Sequence, residues 1–224
     1  MGKIIVIEGL DGSGKATQAN MLNEYLKSKG IDTYILDLPY YNDDSSALVR
    51  MYLGGELGDK PSDVNAYAAS TFYAVDRYAS FKKFWEKEYN SDKIIIANRY
   101  TTSNASHQMT KLSEDEWDEY LQWLFEFEYG KMGIPEPDSV IFLKMPVEVS
   151  QKLLLKRYKG DSAKKDVHER DVEYLVSCHK AAAYAVKKLN WNVIDCAENG
   201  EPRAIEDIFS EIVDTLAKEQ IIND

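Results

Sequence analysis

The sequence predicts an α/β fold: a three-layer, doubly wound, five-stranded parallel sheet with a mobile lid. Three observations carry this. Five short apolar runs alternate with longer stretches of helical spacing, the pattern of a parallel sheet covered by crossover helices. The first run leads straight into a glycine-rich loop, a helix and a second run, so residues 3–38 read as one right-handed βαβ unit. Hydrophobic residues make up 44% of 224 positions, enough to cover both faces of such a sheet.

Taken in order, Lys3 to Ile7 is a β-branched run that reads as a strand buried on both faces. Gly9 to Gly14 forms the loop. Residues 15–29 place Ala19, Leu22 and Leu26 at helical spacing and stop at Gly30, a suitable residue to end a helix. Residues 31–38 make the second strand, and 93–97, 139–143 and 192–196 supply the other three. Helical patterns fill roughly 45–53, 62–89, 113–129, 146–157, 166–189 and 202–218. Ser113 and Glu116 have the spacing of a capping box, which marks a helix start. The charged, small-residue stretch 158–165 lies between two helical patterns and reads as a mobile loop. No repeat or linker divides the chain, so one domain over residues 1–224 is expected.

The net charge of −11 weighs against a nucleic-acid binder, which would more often carry a basic surplus. Any anionic ligand must then be held by local positive charge and oriented backbone N–H groups. The opening run is too short for a secretory or membrane segment. Cys178 and Cys196 form no CxxC pair and are expected to be free thiols in a reducing compartment. His107, His168 and His179 lack metal-ligand spacing.

The stretch Gly9-Leu10-Asp11-Gly12-Ser13-Gly14-Lys15-Ala16-Thr17 is close to the Walker A pattern. Gly9, Gly12 and Gly14 let the backbone curl until successive N–H groups of Ser13, Gly14, Lys15, Ala16 and Thr17 face phosphate oxygens. The following helix adds the positive end of its dipole. Lys15 reaches the β- and γ-phosphates. The pattern asks for a hydroxyl directly after the lysine to ligate Mg²⁺; here that residue is Ala16. Thr17 is about 100° further round the helix and cannot replace it. Either Mg²⁺ is held through water and a carboxylate, with Asp11 and Glu8 at hand, or it binds more weakly.

From Glu8 to Gln18 the chain resembles the thymidylate kinases. Phe72-Tyr73-Ala74-Val75-Asp76-Arg77 is similar to that family's aromatic-plus-arginine motif. Asn98-Arg99-Tyr100-Thr101-Thr102-Ser103, continuing through Asn104 and His107 to Gln108, resembles its Asp-Arg-Tyr-x-x-Ser motif. Arg157 through Tyr184, with Asp166 and Glu169 between, resembles its lid and the helix after it. The four stretches stand in the family's order and cover most of the chain. They imply a P-loop nucleoside-monophosphate kinase fold with a lid at about 157–166. They also imply transfer of the γ-phosphoryl of ATP to dTMP with Mg²⁺ as cofactor, in a cytoplasmic homodimer that binds neither nucleic acid nor membrane.

By the same resemblance, Arg50 and Arg99 grip the dTMP phosphate, and Asp11 sits between the sugar and the transferring phosphates. Tyr73 stacks on thymine, Arg77 hydrogen-bonds the base, and Asn104 pairs with its edge, with Gln108 in the same site. His107 stands where relatives place a tyrosine beside the sugar; it either helps to reject a ribose 2′-hydroxyl or simply packs. Asn98 stands where the family has aspartate, which removes a carboxylate from near the metal. Some relatives carry an arginine inside the phosphate loop. Gly12 occupies that position here, so the catalytic cation is expected from the lid, with Arg157 ahead of Lys159, Lys164 and Lys165 because a guanidinium can bridge two oxygens. Lys15, Asp11, Arg99 and Arg157 are thus the catalytic candidates. Backbone contacts to adenine are expected near Ala197 to Gly200. A kinase for another deoxynucleoside monophosphate and a non-catalytic nucleotide-binding regulator are the competing readings.

Overall fold

The computed structural model of the chain describes residues 1–157, 168 and 171–222. The expected lid, with Lys159, Lys164, Lys165 and Asp166, lies outside the described residues, as do Glu169 and the side chain of Arg157.

Five parallel strands form one sheet: β1 (Lys3–Gly9), β2 (Thr33–Asp37), β3 (Ile94–Asn98), β4 (Ser139–Lys144) and β5 (Asn192–Asp195). Their spatial order is β2-β3-β1-β4-β5. The central strand β1 is buried on both faces, as its unbroken apolar run requires. Ile5 and Ile7 join a core with Leu22 and Leu26 of α1 (Lys15–Ser28) and Ile212 and Leu216 of α9 (Ile205–Lys218). Ile4 and Val6 face the other way, onto Phe81, Trp85 and Tyr100. From β3 the chain crosses over β1 to reach β4. A crevice therefore opens at the carboxyl ends of β1 and β3, the usual ligand position in such sheets.

Two long helical patterns prove to be segmented. The first comprises a 3₁₀ turn at Pro61–Asp63, α3 (Ala66–Ser80), a π-helical stretch at Phe81–Trp85 and α4 (Glu86–Asn90). Asn65 caps α3, its Oδ1 accepting from Ala68 N at 2.8 Å. The wider turn lets Phe81 and Trp85 face the sheet together, ring centroids 4.5 Å apart. The second begins with the Ser113 capping box on a 3₁₀ turn, continues as α6 (Trp117–Phe125) and ends in a π-helical stretch at Glu126–Lys131. Periodicity could not show either insertion.

The remaining helices are α2 (Ala47–Leu53), α5 (Thr102–His107), α7 (Val147–Arg157) and α8 (Val172–Leu189). α5 was not foreseen: it carries no apolar stripe, because its polar residues face the site. Ala197–Glu198 pairs with Glu201–Pro202 in a small antiparallel hairpin, so the last helix begins at Ile205 and not at the expected residue 202. Asn199 (φ 52°) and Gly200 (φ 79°) supply the two left-handed residues of the hairpin's tight turn. Cys178 and Cys196 are both free and buried, and burial pushes each thiol up to about 12. Among the described residues no helix is long and apolar enough to cross a membrane.

Candidate active site

The glycine-rich loop leaves β1 and turns into α1. Gly14, at φ 89°, precedes the first helical residue, and no side chain caps that helix, so its N–H groups remain available to an anion. Gly9 has no room for a side chain: a Cβ there would stand 2.5 Å from Ser13 Oγ and 2.8 Å from Leu143 O. Gly12 (φ 80°) is equally tight, at 2.8 Å from Ser150 O. Ser13 Oγ is buried and among the described residues has no partner, which fits a group that waits for an oxyanion. Lys15 Nζ donates to Leu10 O at 2.9 Å and lies 3.9 Å from Asp11 Oδ1.

Beside the loop is a charged network around Arg99, the first residue after β3. Arg99 has φ 69°, a left-handed conformation that costs on the order of 1 kcal/mol for a residue with a Cβ. Its Nη2 pairs with Asp11 Oδ1, and its Nη1 stands 3.8 Å from Glu8 Oε1 and 3.3 Å from both Ser103 Oγ and His107 Nε2. Burial alone would raise the Asp11 pKa, but Arg99 and Lys15 outweigh it and hold the carboxyl below its ordinary range. Glu8 is fully buried. It accepts from Gly9 N at 2.8 Å, Thr102 Oγ1 at 2.8 Å and Ser103 Oγ at 2.7 Å. Glu8 therefore ties the phosphate loop to the start of α5.

Asp11 and Arg99 form one wall of an open cleft, also lined by Tyr73, Arg77, Asn104, His107 and Gln108. Seven residues proposed from the sequence for the acceptor nucleotide thus line one space. Away from the phosphate loop, Arg77 and Asn104 both contact Glu128, a buried carboxylate that the sequence reading passed over. Gln108 Oε1 is buried and among the described residues has no partner.

Arg50 stands apart from these seven. It is exposed and is not part of the cleft lining. Its Nη1 donates to Tyr41 O at 2.9 Å, Asp43 O at 2.8 Å and Ser46 Oγ at 2.6 Å. This one nitrogen holds the turn that follows β2 and carries Tyr41, which does line the cleft. Asp76 braces the same turn, accepting from Tyr40 N at 3.0 Å and Ser45 Oγ at 2.6 Å.

The histidines were the least legible part. His107 and His168 stack with ring centroids 5.7 Å apart and planes 12° from parallel, and both line the cleft. Arg99 can only donate, so His107 Nε2 accepts and the proton sits on Nδ1, 3.6 Å from Cys178 Sγ. His168 Nε2 lies 2.8 Å from the Tyr52 hydroxyl. Burial, and then the charge of Arg99, depress His107 well below its ordinary value. Burial, and then Lys111, depress His168 to about 3. Both rings are therefore neutral at pH 7.

That depression has a sign. Between pH 6.5 and about 3 the unfolded chain binds a proton at residue 168 that the folded chain does not, so folding stability falls as pH falls through this window. One such group removes about 2 kcal/mol between pH 8 and pH 5. His168→Phe keeps a stacking ring and should flatten the acid limb of the stability curve by about that amount. An acid limb identical to that of the parent in chemical denaturation would show that residue 168 is not held neutral.

A glycine-rich loop joins the central strand of a parallel sheet to a helix, beside a cleft walled by arginines. Together these define the P-loop nucleotide-binding class. Comparison with known proteins narrows the class. The family model described as thymidylate kinase matches residues 7–208, and the chain belongs to that family. It is 30% identical over 172 residues to a thymidylate kinase of Mycobacterium tuberculosis, covering 76% of this chain and 79% of the relative. It is 30% identical over 218 residues to a probable thymidylate kinase of Thermococcus onnurineus, covering 93% and 94%. The solved structure of thymidylate kinase from Candida albicans matches its fold with a TM-score of 0.69 at 19% identity, covering 100% of this chain and 96% of that one.

Proposed function

We propose that the chain transfers the γ-phosphoryl group of ATP to dTMP, giving dTDP and ADP, as one kinase domain over residues 1–224 with a lid at about 157–166. One observation carries the reading. The cleft runs from a phosphate-like end, Asp11 and Arg99 beside the phosphate loop, to a base-like end at Arg77 and Asn104. Family membership supplies the substrate pair. In this reading Gly9 to Thr17 cradle the ATP phosphates and Lys15 meets the charge that develops on the transferring group. Arg99 orients the dTMP phosphate, and Arg157 adds a lid cation. The acceptor is already an oxyanion, so positioning and charge neutralisation suffice and no strong base is needed. A cytoplasmic homodimer belongs to the same proposal on the strength of the family alone.

Kinases of this class use a divalent metal, and Mg²⁺ is the ion proposed. Among the described residues no cluster of three carboxylate, His or Cys side chains forms a cage for it. Glu8 is buried and hydrogen-bonded, and Asp11 is paired with Arg99. Asn98 Oδ1, at the end of β3 and in register with Ile7, is buried and among the described residues has no partner. These residues fit an ion that arrives on the nucleotide phosphates and keeps much of its water shell, with Asn98 and Asp11 as outer contacts. Such an ion supplies charge neutralisation at the phosphate oxygens.

An ADP-release assay across the common monophosphates tests the function. Release with dTMP above all others is expected. Preference for another deoxynucleotide would move the assignment within the class, and no release with any would leave a regulator. Tyr73 supplies a second test. It is half-buried, lines the cleft and meets Tyr52 edge-on at 6.5 Å. Base–aromatic stacking is worth on the order of 1–3 kcal/mol, so Tyr73→Ala should raise the dTMP KM at least several-fold and leave the ATP KM unchanged. An unaltered dTMP KM would remove Tyr73 from the site.

A further inference from the structure

Glu128 is fully buried beneath the base-like end of the cleft. The π-helical stretch at Glu126–Lys131 turns it inward from an otherwise amphipathic run. Its Oε2 accepts from Arg77 Nε at 2.6 Å and Thr101 Oγ1 at 2.9 Å; its Oε1 accepts from Arg77 Nη2 at 2.9 Å and Asn104 Nδ2 at 3.3 Å. The Arg77 contact is a bidentate fork, which fixes the guanidinium plane as well as its place.

These bonds determine what the cleft can say to a ligand. A carboxylate held by a guanidinium only accepts, so the Asn104 atom facing Glu128 must be its nitrogen. Asn104 Nδ2 is further engaged by Ser70 O at 3.4 Å. Both of its protons then face acceptors inside the protein, which leaves its oxygen as the group for the cleft that Asn104 lines. Arg77 spends Nε and Nη2 on Glu128, which leaves Nη1 as the donor on the cleft side. The edge offered is one acceptor beside one charged donor.

We propose that Glu128 is a positioning residue that fixes the sense of this edge. With Glu128 in place, the cleft accepts a pyrimidine carrying an N3–H beside a 4-carbonyl and rejects one with a bare N3 beside a 4-amino group. The proposal rests on the dTMP reading of the cleft and adds to it the group that sets base choice without touching the base. Replacing the carboxylate by an amide reverses one contact. Where the new NH₂ takes the place of Oε1, Asn104 must turn its oxygen inward to accept from it and then presents its donor to the ligand; where it takes the place of Oε2, Thr101 Oγ1 is the acceptor and Asn104 keeps its sense.

The test is the ratio of kcat/KM for dTMP over dCMP, measured with both nucleotides competing in one tube, so that the fraction of folded enzyme cancels. Glu128→Gln is expected to lower that ratio at least ~10-fold, with the loss in the dTMP KM and no change in the ATP KM. A purely structural role would lower activity on both nucleotides together and leave the ratio alone. Glu128→Gln leaves Arg77 in a buried site with a neutral partner, so Glu128→Asp is the second variant. It keeps the charge but draws the carboxylate back from Asn104, and should lower the ratio several-fold. An unchanged ratio in either folded variant overturns the proposal. Failure of the underlying reading looks different: the parent enzyme itself would show no preference for dTMP.

Discussion

Replacing Lys15 with methionine is expected to lower kcat by on the order of 10²-fold or more while the protein stays folded. The ammonium group is almost completely buried, at the mouth of α1 and 3.9 Å from Asp11. It is therefore largely desolvated before any nucleotide arrives, and rests on Leu10 O at 2.9 Å. A preorganised cation of this kind acts on charge that grows during the reaction, so its loss falls on the chemical step more than on binding. Methionine preserves the length and packing of the stem. Asp11 keeps its pair with Arg99, so no unpaired buried carboxylate is created. Single-turnover kinetics with saturating ATP and dTMP, alongside a thermal melt, separates the two effects. Near-normal turnover in a folded Lys15→Met protein would sink the assignment of the phosphate loop.

Much of the fold could be read from the chain because its signals are local. The run Lys3 to Gly9, its glycine loop and the helix ending near Gly30 are defined by neighbours in sequence, and each lies within a residue or two of the expected position. The cleft was legible for a different reason. Arg99 is a charged group just past the end of β3, where packing alone gives little reason for it, while Tyr73, Arg77 and Asn104 stand inside helices and were picked out by the family motifs that contain them. The features that escaped are those set by partners far away in the chain. Glu128 lies among Phe125, Phe127 and Tyr129 and looks like one more charge on an amphipathic helix. Only the π-helical turn puts it inside, 51 residues from the arginine it holds. His168 meets Tyr52 across 116 residues, a pairing that no spacing rule encodes. Arg50 is ambiguous in a different way. An arginine shortly after a strand end suits a phosphate, yet it also suits the carbonyls of a tight turn, and sequence cannot weigh one against the other.

Arg99 gives the second large effect, and its variants separate three contributions. Arg99→Lys is expected to lower kcat/KM for dTMP by on the order of 10²-fold, because a point charge cannot replace a planar fork that serves Asp11 through one nitrogen and Ser103 and His107 through the other. The ATP KM should move little. Arg99→Met removes the charge as well. It leaves buried Glu8 and the adjoining Asp11 without their shared cation and should cost about 2 kcal/mol of stability, less than a fully enclosed pair because Asp11 is partly exposed. Arg99→Gly removes the same charge but also relieves the backbone, since glycine adopts φ 69° without a Cβ clash. It should therefore be more stable than Arg99→Met by about 1 kcal/mol, while being no more active. Denaturant unfolding of the three proteins, paired with dTMP titrations, reads all of this. If Arg99→Lys turns over dTMP like the parent, the fork is not what grips the monophosphate. If Arg99→Gly and Arg99→Met are equally stable, the left-handed backbone at residue 99 carries no strain, and the position is held by its side chain alone.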